Sequence, residues 1–199
     1  MVREVENIDT YRAQLKAYLL SIVPETDEDE LSELVKHFTI EKFEKKQIIL
    51  NSGESSGYVH FICEGLVRIF YHKEDKEITN WLVNENMIFT GIYSALSGNV
   101  NQSIYQAIEN TITLKIKQNE LESFCNQYHS IEHLSRKMVE LYYGKFMIKT
   151  FNVLFLSAEE RYNLFLKEHY NLYGRLPLRV LSTYLGITQE TLSRLRAKR

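Results

Sequence analysis

Apolar positions recur at helical spacing from Tyr11 to Ile22, and Thr26 with Asp29 makes an acidic, capping-box-like start for a second helix running through Lys36. The period then changes. From Phe38 to Ile116 the chain carries short runs rich in Val, Ile, Phe, Tyr and Thr, among them Gln47 to Leu50, Tyr58 to Ile62 and Leu66 to His72. Turn-forming punctuation separates them: Asn51-Ser52-Gly53, Glu64-Gly65, Asn84-Glu85-Asn86, Ser97-Gly98-Asn99 and Glu109-Asn110. Many short strands broken at this interval predict a double-sheet jelly roll or barrel.

Helical spacing resumes near Lys117 and holds to about Leu156, with a break around Tyr128 to Ser130. Past that break there are two apolar stripes, one through Leu134, Met138, Leu141 and Ile148, the other through Val139, Tyr142, Phe146 and Val153. A helix lying on its own domain needs one stripe. Two imply two partners, the β domain and a second copy of the same helix, with Leu134, Met138, Leu141, Lys145 and Ile148 as the dimer interface. The alternative is a helix buried inside one domain. Ser157 and Glu160 then form a capping box that opens a fresh helix. The expected division is an N-terminal β domain over residues 1–129, a dimerisation helix over 130–152 and a C-terminal domain over 153–199. With no Gly/Pro-rich linker, the connection is stiff.

Composition narrows the classes. The first thirty residues carry Arg3, Glu4, Glu6, Asp9, Arg12 and Lys16 and contain no charge-free apolar run of signal or membrane length, so a cytoplasmic protein with no membrane partner is expected. Two cysteines, Cys63 and Cys125, are too few for a disulfide framework or a thiolate metal site. The net charge of −2 hides an asymmetry: residues 175–199 hold Arg175, Arg179, Arg194, Arg196, Lys198 and Arg199 against Glu190 alone. A basic end on an acidic body points to nucleic acid.

The C-terminal pattern sharpens this. Pro177 suits the first position of a helix, Val180, Leu181 and Leu185 give it an apolar face, and Gly186 supplies a left-handed turn. Thr188 then caps a second helix whose Leu192 and Leu195 share one face, while Gln189, Glu190, Ser193, Arg194 and Arg196 point away. A recognition helix must hide its apolar side and present polar side chains to base edges. The predicted DNA-contacting set is Thr188, Gln189, Glu190, Thr191, Ser193, Arg194, Arg196 and Lys198. A ligand-binding or protein-interaction module with a vestigial helix-turn-helix is the rival reading.

The string Tyr184-Leu-Gly-Ile-Thr-Gln-Glu-Thr-Leu-Ser-Arg194 resembles the recognition element of the catabolite activator/FNR superfamily, and Gly53-Glu54, Tyr58 to Gly65 and Phe89-Thr90-Gly91 resemble its β-roll. The resemblance spans the chain. It implies an α+β fold with an N-terminal double-stranded β-helix of cyclic-nucleotide-binding type, a long dimerisation helix and a C-terminal winged helix-turn-helix. It also implies a homodimeric transcription regulator of pseudopalindromic double-stranded DNA, with RNA polymerase a further candidate partner. By the same resemblance Glu190, Ser193 and Arg194 are the base readers, and Gln189 stands where the catabolite activator subgroup has a further Arg.

The effector region departs from the cyclic-nucleotide pattern. Ile92 holds the position of the ribose-binding Glu, Asn101 or Gln102 that of the phosphate-binding Arg, and no Lys or Arg occurs between Glu77 and Leu114. A buried phosphate needs paired charge or several donors, so cyclic AMP is not expected to bind. Phe89, Gly91, Ile92, Tyr93, Gln102 and Ser103 form the expected pocket for an unidentified small-molecule effector. Tyr58, His60, Tyr71, Trp81, Tyr93 and Tyr105 are aromatics that either line it or pack. His60, His72, His129 and His133 suggest no metal site, no cofactor motif occurs, and no phosphate loop or nucleophile pattern suggests an enzyme.

Overall fold

The computed structural model describes residues 2–91 and 101–197, with side chains from Ile8 onward. Helix α1 (Val2–Ile22) and α2 (Glu28–Lys36) precede eight strands: β1 (Thr39–Phe43), β2 (Ile48–Leu50), β3 (Tyr58–Glu64), β4 (Leu66–Lys73), β5 (Lys76–Asn84), β6 (Ile88–Thr90), β7 (Ile104–Ala107) and β8 (Thr111–Lys117). Then come α3 (Gln118–Gln127), α4 (His129–Phe155), α5 (Ala158–Glu168), α6 (Tyr170–Tyr173), α7 (Leu178–Leu185) and α8 (Gln189–Ala197).

The strands form two antiparallel sheets, ordered β1-β8-β3-β6 and β2-β7-β4-β5. Both are covered on their outer faces, which explains why β3 is buried without interruption from Val59 to Cys63. Val59, Phe61 and Cys63 of β3, with Leu114 and Ile116 of β8, pack outward on Leu15, Leu19, Leu31 and Leu34 of the first two helices and on Ile131, Leu134 and Met138 of α4. Leu66 and Leu82, with Ile108, pack outward from the second sheet into one apolar cluster with Leu172, Leu176, Leu181 and Leu192 of the C-terminal helices. Between the sheets lie Leu50, Ile62, Val67, Val83, Phe89 and Tyr105.

Local chemistry sets the breaks. Gly65 takes φ 105° at the β3–β4 turn, where a Cβ would fall 2.5 Å from Thr111 Oγ1. Tyr128 is extended and separates α3 from α4, as its place in the sequence suggests. Ser157 and Glu160 form the expected reciprocal cap of α5. α2 is capped differently from the expectation: Asp27 accepts from the N–H groups of Asp29 and Glu30, because Thr26 is buried and turns its hydroxyl back to the Val23 carbonyl. Pro177 also stands one residue earlier than expected. Its ψ of 143° keeps it outside α7, and its carbonyl accepts the first helical bond from Leu181.

Among the described residues, 158–197 form four helices and contain no strand.

The stripe assignment on α4 is also corrected. Ile131, Leu134 and Met138 are buried in the protomer's own core, so Leu134 and Met138 have no area to give a partner. Tyr142 continues that stripe and accepts a hydrogen bond from the Ile88 N–H at 2.6 Å. Lys145 follows with its ammonium 5.3 Å from the Tyr142 ring. Steps of four and three residues keep these on one side of a 3.6-residue helix. The other side carries Val139, Tyr143, Phe146, Met147, Phe151, Leu154 and Phe155 in the open, with Leu154 at 70% exposure. Ile148 is exposed as well, and Leu141 half-buried.

Candidate nucleic-acid interface and effector cleft

Gly186 ends α7 at φ 66° and ψ 37°, the left-handed conformation that a Cβ disfavours. Thr188 Oγ1 then accepts from the Thr191 N–H at 3.1 Å and starts α8. Leu192 and Leu195 are buried among Tyr162, Phe165 and Leu181. Gln189, Glu190, Ser193 and Arg194 are exposed on the opposite side, within little more than one helical turn. Arg194 leans on its own helix through a 3.3 Å bond from Nη2 to Thr191 Oγ1.

Arg196 is half-exposed and has a partner within the fold. Its Nε donates to the Tyr173 hydroxyl at 2.7 Å and its guanidinium lies 4.6 Å from the Tyr173 ring centre, so it serves the fold of its own protomer. Lys198 lies outside the described residues.

Part of the C-terminal positive charge is likewise engaged internally. Arg175 donates to Glu85 and Glu109, which stand in the two turns flanking the second sheet, and Arg179 lies 3.5 Å from Glu77. Thr79 Oγ1 and Thr183 Oγ1 share a 2.7 Å hydrogen bond between β5 and α7. A β-bulge in β5 sets Asn80 opposite no partner on β4, and its carbonyl accepts from Lys149 Nζ. That ammonium also lies 3.9 Å from the Tyr184 ring and 5.5 Å from Trp81, while burial draws its pKa down to about 7. α4, the roll and the helix-turn-helix therefore meet at Lys149.

The roll contains a cleft of about 400 Å³. Phe89 and Gly91 line it as expected; Gln102 and Ser103 do not, being the exposed and half-buried residues leading into β7. Ile92 and Tyr93 lie outside the described residues. Of the aromatics, Tyr58, His60 and Tyr105 line the cleft; Trp81 packs beside the inter-sheet cluster and Tyr71 is exposed.

Sequence reasoning missed Glu41 and Lys115, which face the cleft as an ion pair of 2.7 Å. Lys115 stands one residue past the stretch searched for cations, and only the β1–β8 pairing shows that it shares a face with Glu41. Burial, with the nearby Lys115 charge, pushes the His60 pKa down to about 3, so the imidazole is neutral. Among the described residues no cluster of His, Cys, Asp or Glu is placed to hold a metal ion, and no helix is long and apolar enough to cross a membrane.

This arrangement, a jelly roll joined by a long helix to a helix-turn-helix, has the architecture of the Crp/Fnr regulators, and residues 40–128 match the family model of the cyclic nucleotide-binding domain. FixK2 from Bradyrhizobium japonicum is similar at 20% identity and TM-score 0.71, the match covering 81% of this chain and 83% of that one. A structure from Eubacterium rectale, described as a transcriptional regulator of the Crp/Fnr family, is 14% identical with TM-score 0.68 over 89% of this chain and 85% of that one. The catabolite activator protein of Thermus thermophilus is 18% identical with TM-score 0.56, covering 91% and 85%. No curated protein sequence matches the chain. These likenesses bear out the superfamily resemblance at the level of fold, and none of them indicates a catalytic family.

Proposed function

We propose that this chain is a cytoplasmic, sequence-specific DNA-binding transcription regulator that works as a homodimer. The observation that carries the reading is α8, with Leu192 and Leu195 hidden and Gln189, Glu190, Ser193 and Arg194 facing solvent together. Arg194 has the fork that meets a guanine's two acceptors, Glu190 can accept from a cytosine amine, and Ser193 accommodates either partner. The open apolar side of α4 is the surface for a second copy. Pairing there would set two α8 helices for successive major grooves, about 34 Å apart. The functional division follows: residues 1–129 as effector domain, 130–152 as dimer helix and 153–199 as DNA-binding domain.

Cyclic AMP is not the effector in this reading. Its phosphate would need a free cation, and the cleft's lysine is already paired with Glu41. Selection of bound fragments from random DNA, followed by titration at rising salt, tests the function. Enrichment of a pseudopalindrome whose affinity falls steeply with salt is the expected outcome. Absence of enrichment with a shallow salt slope would leave the ligand-binding or interaction module with a vestigial helix-turn-helix.

A further inference from the structure

Lys149 ties three parts of the protein together without a charged partner of its own. It lies on the same side of α4 as Tyr142 and Lys145 and is half-buried. Its amine donates to the Asn80 carbonyl at the β5 bulge and stands 5.5 Å from the Trp81 ring of β5 and 3.9 Å from the Tyr184 ring of α7. Among the described residues no carboxylate pairs with it. A charged lysine has three donors to satisfy, and one carbonyl with two ring faces is a thin replacement for water.

The ionisable groups on the packed elements do not supply the missing partner. On α4, Lys145 stands one turn earlier and adds like charge. At the end of α5, the charge of Glu168 acts on His169 and on Tyr184 of α7. On β5, Glu77 is engaged by Arg68 and Arg179. The two rings attract a cation, but burial outweighs them and draws the Lys149 pKa down to about 7. A solvated lysine keeps its proton to about pH 10.4. Proton uptake therefore favours any state that returns Lys149 to water, and proton loss favours the docked one.

The contact beside it is built to part. Thr79 meets Thr183 at 2.7 Å and Glu77 meets Arg179 at 3.5 Å, polar pairs whose partners water can replace. The apolar cluster of Leu66 and Leu82 grips α7 toward the other end of β5 and leaves a pivot there.

We propose that Lys149 is a proton-released latch: with its amine neutral it closes α7 onto β5, and on taking up a proton it lets α7 and α8 swing away from the roll. Calling this regulation rests on the regulator reading above; the release itself does not.

Hydrogen exchange of the full chain without DNA, read by mass spectrometry at pH 7 and 8.5 with the intrinsic exchange chemistry divided out, tests this. Peptides over α7 and α8 should be less protected than those over β3 and β8, the mark of a local opening. Their protection should rise about tenfold between the two pH values, because each pH unit in this interval changes the docking equilibrium by up to about tenfold. Lys149→Met should hold the rise within about twofold, while Lys145→Met should keep it above about fivefold. Should Lys149→Met not fold, Lys149→Gln with the same peptides replaces it. Flat protection in the native chain, a rise that survives loss of Lys149 or vanishes with Lys145, or α7 protected as strongly as β3 and β8 would overturn the proposal. A chain that shows the rise but binds no DNA sinks only the regulator reading.

Discussion

Arg175 holds Glu85 with both arms of its guanidinium, Nη1 to Oε2 at 3.0 Å and Nη2 to Oε1 at 2.6 Å, and so ties the segment before α7 to the β5–β6 turn. Burial raises the Glu85 pKa, but the bonds from Arg175 and from the Gly65 N–H outweigh it and leave the carboxyl below its ordinary range. A carboxylate with a depressed folded-state pKa contributes stability above its unfolded value of about 4.3, and that contribution is lost as pH falls through the folded value. Arg175→Ala should cost about 1–3 kcal/mol at neutral pH. The difference between the variant and the native chain should shrink as pH falls, because acid removes from the native chain the same contribution that the substitution has already taken away. Calorimetric melting from pH 7 to 3 checks both; an unchanged acid profile would refute the assignment.

Lys149 titrates with the opposite sign. Its folded pKa is drawn down to about 7, with burial the cause, while the Tyr184 face 3.9 Å away works to retain the charge. Between there and the unfolded value of about 10.4, the unfolded chain holds more protons, so stability rises with pH over that interval. Urea unfolding at pH 7 and 9.5 should show this gain in the native chain and a smaller one in Lys149→Met. Identical gains would mean that the lysine is solvated.

Arg194→Ala should weaken binding to the selected site by about 1–3 kcal/mol and relax preference at one guanine position. Fluorescence anisotropy on a set of single-base operator variants reads this out. Uniform weakening across all variants would make Arg194 a phosphate contact.

The two sides of α4 should separate by mutation. Phe146→Glu, on the open side, should shift the dimer toward monomer in light scattering with little change in protomer melting. Leu134→Ala, on the buried side, should cost about 2–5 kcal/mol of folding stability. A Phe146→Glu protein that remains dimeric would place the partner elsewhere.

Much of this architecture was legible because its signals are local. Short apolar runs broken by Gly and Asn gave the strands, and Gly186 followed by Thr188 gave the turn and cap between α7 and α8. What escaped depends on through-space partners. The stripe through Leu134 and Met138 looked open because only the packed structure shows α1 and α2 covering it. The basic count at the C-terminus looked free for nucleic acid, yet Arg175, Arg179 and Arg196 find partners tens of residues away. Glu41 and Lys115 are separated by most of the roll in sequence and become neighbours only through strand pairing.

Leu66, Leu82 and Ile108 of the roll share one oily interior with Leu172, Leu176, Leu181 and Leu192 of the helix-turn-helix. The C-terminal helical unit is consequently not portable. Cut free or grafted onto another domain, it would carry a bare greasy flank that the roll now covers, and any rearrangement that tilts α8 has to slide the two halves across that shared interior.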